Sequence, residues 1–120
     1  MRIAEFRRLA AAAQKPKSKY HAQPTKGYAS RKEYRRATAL KLLEQAGQIS
    51  DLQEQVTFEL IPAQYVGGKL IERPVTYVAD FVYHQDGNLV VEDCKGVRTP
   101  VYTIKRKLML QRYGIIIYES

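Results

Sequence analysis

Apolar positions along this chain change period repeatedly, and each change marks an element. In SRKEYRRATALKLLEQA (30–46), Ala37, Leu40 and Leu43 share one side with Glu33 and Glu44, which predicts a helix that Gly47 ends as its C-cap. DLQEQVTFELIPA (51–63) shifts to period two: Val56, Phe58 and Leu60 alternate with Gln55, Thr57 and Glu59, as in a strand. Gly67-Gly68-Lys69 marks a turn. Strands then run over 75–84 and 88–95, joined through Asp86-Gly87, a strong hairpin signal. Thr99 and Pro100 open a second helix that Gly114 stops, and IIIYE (115–119) reads as a buried closing strand. The expected order is αβββαβ with a right-handed crossover at the end. Further upstream, Ile3, Phe6, Leu9 and Ala13 share one side of a short helix over 3–13, and KPKSKYHAQPTKGY reads as a flexible linker.

Composition narrows the class. At 120 residues and 45% hydrophobic, the chain suits one core, here a folded domain over 28–120 preceded by a basic arm over 1–27. A lone cysteine and two histidines exclude an intrachain disulfide and make structural zinc a poor fit. No apolar run is long enough for a bilayer span, and Glu5, Arg7 and Arg8 interrupt the N-terminal apolar residues, so a cytoplasmic protein with no membrane partner is expected. The net +8 is front-loaded: residues 1–41 hold 12 of the 20 Lys and Arg but only 2 of the 12 acids. Such a front attracts polyanions, with nucleic acid the first candidate; solvation and acidic lipid are the alternatives.

Acids on these apolar strands need a partner, because burying a charge without one is costly. A two-residue Asp86-Gly87 turn sets Gln85 opposite Asn88 and, counting back, Asp80 opposite Asp93. Alternation then places Val78, Asp80 and Val82 on the face of Val91, Asp93 and Lys95, with Glu92 and Cys94 on the other. Like charges directly opposite destabilise a sheet, and a divalent cation resolves the conflict; carboxylate oxygens suit Mg²⁺ or Mn²⁺. The alternative is an ordinary surface ion pair of Asp93 with Lys95 on an edge hairpin.

Asp80 followed by Asp93-Cys94-Lys95, on paired strands after a helix that carries Glu33, resembles the PD-(D/E)XK nuclease superfamily. Over residues 28–119 the chain is similar to a family of small phage-associated, Holliday-junction-resolvase-like nucleases. The proline that usually precedes the first Asp is Ala79 here. The resemblance implies an α/β, restriction-endonuclease-like αβββαβ core, with a mixed central sheet flanked by helices. It further implies metal ligation by Asp80, Asp93 and the Cys94 backbone carbonyl, with Glu33 assisting, and Lys95 orienting water and offsetting charge on phosphate. Glu33 also completes a capping box with Ser30, so cap and site both stay open. Gln55 stands either behind the site or simply outward on its strand.

Arg31, Lys32, Arg35 and Arg36 are expected to hold phosphates. Lys105, among Val101, Leu108, Met109 and Arg112, either snorkels or reaches the scissile phosphate, whereas Lys107 points to solvent. His84 and Cys94 lack partners for chemistry and read as bystanders. The expectation is thus a Mg²⁺-dependent endodeoxyribonuclease, with Mn²⁺ able to substitute, acting on junctions or branches in DNA recombination. As a phage product it would work in the bacterial cytoplasm, and junction cutters of this superfamily imply a homodimer. The rivals are a non-catalytic nucleic-acid-binding protein on the same fold and a sequence-specific restriction-like enzyme.

Overall fold

Ser30, in extended conformation (φ −149°, ψ 162°), accepts from the Glu33 N–H and starts helix α1, Arg31–Gln45. The computed structural model describes residues 27–120; the helix expected over 3–13, and the basic arm apart from Gly27, lie outside the described residues. Strand β1 spans Ser50–Ile61, β2 Gln64–Val66, β3 Lys69–Glu72, β4 Val75–Gln85 and β5 Asn88–Asp93, followed by helix α2, Pro100–Tyr113, and β6, Tyr118–Glu119. The result is a mixed α/β architecture: a four-stranded sheet in the order β1-β4-β5-β6, with β6 parallel to β5 and the other pairs antiparallel.

Asp86 and Gly87 both take positive φ, 53° and 79°, as the tight hairpin requires. The register is the expected one, from Gln85 opposite Asn88 to Phe81 opposite Glu92. Two apolar clusters fill the faces of the sheet. Under α1 lie Ala37, Leu40, Ile49, Phe81 and Tyr83; under α2 lie Val56, Phe58, Tyr77, Ala79, Val82, Val91, Tyr102 and Met109, among others.

Strict alternation fails within β4. Tyr77 and Ala79 share a cluster with Val82, while Phe81 and Tyr83 pack on the other side, so β4 changes parity at Asp80 and Val78 is not the residue that joins Val82 in that core. Across the ladder, Gln55 lies between the pairs Glu54–Phe81 and Val56–Ala79, and it holds φ +54°. β1 changes face at the same level, with Leu52 packed against the α1 cluster and Val56 in the α2 cluster.

Three further expectations change. The Gly67-Gly68 turn carries a separate two-stranded ribbon, β2 with β3, whose residues are all exposed. The closing strand is shorter than IIIYE suggests: Ile117 is buried, but Ile116 is 80% exposed, because β6 is the sheet edge and meets α2 on one side only. Helix α2 packs through Tyr102 and Met109, one heptad apart, so Val101 and Arg112 face solvent rather than the core.

Gly114 closes α2 in the left-handed region (φ 67°, ψ 22°), with its N–H donating to the Leu110 carbonyl at 2.9 Å. A methyl group there would touch nothing within 4 Å, so the cost of Gly114→Ala is conformational alone. Urea denaturation is expected to show a loss of about 1 kcal/mol. A neutral result would mean that the cap relaxes into another geometry.

Candidate active site

The parity change at Asp80 has a local consequence: the acids of β4 and β5 gather where α1 begins and α2 approaches. Gln55, turned by its positive φ, donates its side-chain amide both to Glu33 Oε1, at 3.0 Å, and to Asp80 Oδ1, at 3.3 Å. The other Asp80 oxygen accepts from the Cys94 backbone N–H at 2.9 Å. Asp93, 3% exposed, accepts from the Tyr77 hydroxyl at 2.6 Å, and the Lys95 ammonium stands 3.4 Å from its other oxygen. Lys95 also lies over the Tyr102 ring, 4.1 Å from the centroid.

Glu33 sits at the capped start of α1 and also reaches Gln55. Its backbone N–H is capped by Ser30, and its carboxylate accepts from the Ala29 N–H at 3.0 Å while also meeting Gln55. It is 6% exposed, on the buried side of α1.

This crowding of acids shows in their protonation. Burial, with the neighbouring Glu33 carboxyl, pushes Asp80 up to about 6, against the pull of the Cys94 N–H. Burial and the Asp80 charge push Asp93 up to about 6, opposed by the Tyr77 hydrogen bond and by Lys95. Burial is the larger cause for both, and the neighbouring acids add to it, so the doubly ionised pair is disfavoured. Among the described residues no three His, Cys, Asp or Glu side chains are gathered into a metal-binding cluster. Asp80 and Asp93 are hard oxygen donors of the kind Mg²⁺ takes, and two protein carboxylates are too few for a closed zinc site.

Glu92 stands outside this group, on the α1 face, as its register implies. It is fully buried yet held below the ordinary carboxylate range: burial alone would raise it, but the Arg36 guanidinium and the Tyr83 hydroxyl outweigh that. Arg36 engages both Glu92 oxygens, and Tyr83 donates at 2.7 Å. Arg36, expected to hold phosphate, has its guanidinium fork on this buried carboxylate. Lys32 donates to the Lys95 carbonyl at 2.8 Å, fastening α1 to the segment after β5. Arg31 and Arg35 are exposed, and Lys105 is half-buried on α2. His84 pairs with Asp51 at 3.1 Å, and the Cys94 sulfur lies 3.2 Å from the Ser120 hydroxyl, its thiol raised by burial.

Tyr77, Tyr102 and Glu119 escape a reading by alternation. Tyr77 lies three residues before Asp80, on the face that strict period two assigns away from Asp93; only the parity change brings them together. Glu119 accepts from Arg98 at 2.9 Å and from Tyr102 at 2.6 Å, which pulls its carboxyl down to about 2.

Among the described residues no helix is long and apolar enough to cross a membrane. Residues 17–118 match a family model described as a protein of unknown function, DUF1064. No curated protein and no solved structure matches.

Proposed function

The chain belongs to the DUF1064 family, a membership that assigns no chemistry, and from the site itself we propose a Mg²⁺-dependent endodeoxyribonuclease on a restriction-endonuclease-like core. One observation carries this reading: two buried carboxyls, Asp80 and Asp93, both pushed up to about 6, with the Lys95 ammonium 3.4 Å from the second. Asp80, Asp93 and the Cys94 carbonyl would hold the ion, with Glu33 at the rim. Once bound, Mg²⁺ or Mn²⁺ supplies an acidified water and an electrophile for a phosphate oxygen.

The chain's own groups do the rest. Gln55 ties Asp80 to Glu33, so these acids hold one mutual orientation. Tyr77 fixes the Asp93 carboxylate by donating to one oxygen and leaving the other toward Lys95. Lys95 orients the attacking water and offsets the charge that develops on phosphate oxygens, a role suited to a cation fixed beside the reacting atoms. Arg31 and Arg35, exposed on α1, are the cations best able to grip the DNA backbone, a contact that positions but carries no sequence information. With no evident base-reading element in the described residues, the substrate is read as DNA structure, such as a junction or branch.

A binding protein that has kept the fold without cutting is the second reading, and the absence of a three-residue metal cluster among the described residues speaks for it. One assay separates the two: supercoiled plasmid and a four-way junction with Mg²⁺, Mn²⁺ or EDTA. The expected result is metal-dependent cleavage, abolished by EDTA and faster on the junction than on a linear duplex of equal length. No cleavage with either metal, together with tight DNA binding that Asp93→Ala leaves unchanged, would overturn the nuclease reading. Discrete sequence-dependent fragments would replace structure selectivity with restriction-like specificity.

A further inference from the structure

Lys95 lies in the segment 94–99, outside regular secondary structure, between the end of β5 at Asp93 and the start of α2 at Pro100. A lysine on such a segment has four rotatable bonds and no intrinsic reason to hold one position. Its surroundings are nevertheless built. The Lys95 N–H donates to the Ser120 carbonyl at 3.3 Å, and the Ser120 N–H donates to the Asp93 carbonyl at 3.0 Å, so Ser120, just past β6, brackets both residues from the sheet edge. The ammonium lies 4.1 Å from the centre of the Tyr102 ring, in the first turn of α2, where Thr99 caps the Tyr102 N–H at 3.1 Å. Tyr102 is itself 5% exposed, and its hydroxyl donates to Glu119 of β6 at 2.6 Å.

We infer that Tyr102 is a positioning residue for Lys95, holding its ammonium beside Asp93 through the face of its ring, and that Glu119 holds Tyr102 in turn. The chemistry supports each link. A cation over an aromatic face is attracted by the ring's negative quadrupole, and the attraction grows when water is excluded from one side. A phenol that donates to a carboxylate pushes electron density into its ring, which strengthens that attraction. Arg98, at 2.9 Å, and Arg106, at 3.4 Å, anchor the Glu119 carboxylate. Tyr102 thus holds the ammonium through its ring and adds no counter-charge to that of Asp93, which already pairs with the Lys95 charge. A carboxylate in the same place would add a second.

This inference rests on the nuclease reading for its consequence but not for its geometry, and the test separates the two. Proton NMR of the metal-free protein should find the Lys95 ε-methylene shifted upfield by the ring current of Tyr102. The shift should persist in Tyr102→Phe and vanish in Tyr102→Leu. Cleavage of the four-way junction at saturating DNA should fall about tenfold in Tyr102→Leu, with DNA affinity unchanged, and by much less in Tyr102→Phe. If Tyr102→Leu does not fold, Glu119→Gln provides the second reading: a weaker phenol bond should reduce both the upfield shift and the cleavage rate. An unshifted Lys95 methylene in the wild type overturns the inference whatever the activity. Equal losses in Tyr102→Phe and Tyr102→Leu overturn it too, because the ring would then not be the group that matters. A wild type that shows the upfield shift but cuts no DNA would sink the nuclease reading while upholding the geometry.

Discussion

Asp80→Asn is expected to lower DNA cleavage by at least about 10³-fold while making the metal-free protein more stable at neutral pH. Both halves follow from the same crowding. Asp80 and Asp93 sit at about 6 in the folded chain, against an ordinary value of 3.8, because burial and neighbouring acids disfavour their charged forms. For an acid whose folded value is raised, the native state binds more protons than the unfolded state between the two values. Stability from these groups is therefore fully present below pH 3.8 and lost as pH rises through about 6. Wild-type melting temperature should climb as pH is lowered from about 7.5 to about 5, and the climb should shrink in Asp80→Asn, which keeps shape without charge. Glu92 and Glu119, both held low, act in the opposite sense only below this window.

A bound divalent ion reverses the logic, since it favours both carboxylates in the form the metal-free fold resists. Mg²⁺ at about a hundred times its dissociation constant should stabilise the wild type by about 2.7 kcal/mol at pH near 7.5, and much less at pH near 5, where protons compete. Asp80→Asn should show little response at either pH. Thermal melts with and without Mg²⁺ check this independently of any DNA substrate. Undiminished cleavage by Asp80→Asn, or melts indifferent to Mg²⁺ at every pH, would remove these acids from the proposed role.

What could be read without coordinates was whatever local chemistry determines. Asp86-Gly87 dictates a two-residue turn, the turn dictates register, and register correctly separates Glu92 from the group around Asp80. Ser30, Thr99 and Gly114 mark the helix ends because caps satisfy orphan backbone groups with short-range partners. Longer-range facts were hidden for physical reasons. Nothing about glutamine announces a left-handed conformation, yet the φ of Gln55 accompanies the parity change that brings Tyr77 to Asp93. Glu119 meets Tyr102 across 17 residues, and Arg36 meets Glu92 across 56, contacts that no period of two or 3.6 encodes. In the β2–β3 ribbon, Tyr65, Val66, Leu70 and Ile71 are all exposed, so their apolarity, a sound guide to burial elsewhere in the chain, misleads here.

Arg36→Ala is expected to destabilise the protein by about 3–5 kcal/mol, enough to lower the melting temperature by more than about 10 °C. Glu92 is 0% exposed, and the guanidinium fork supplies the charge that makes its burial tolerable. Removing the fork leaves a buried carboxylate with hydroxyl donors alone, Tyr83 and Ser120, and the desolvation cost of the charge falls on the folded state. Arg36→Lys, a point charge in place of a planar fork, should lose less, about 1–2 kcal/mol. The decisive variant is the double replacement Arg36→Met with Glu92→Gln, which deletes both charges while keeping an acceptor for Tyr83. It should recover most of the stability, since a buried pair replaced as a unit is often neutral even where breaking it is costly. That variant also settles whether Arg36 has any part in gripping DNA. If its charge is wholly committed to Glu92, the refolded double variant should bind DNA with the wild-type salt dependence. A slope of log affinity against log salt reduced by about one would mean that Arg36 reaches a phosphate after all, sharing its charge between the buried acid and the duplex.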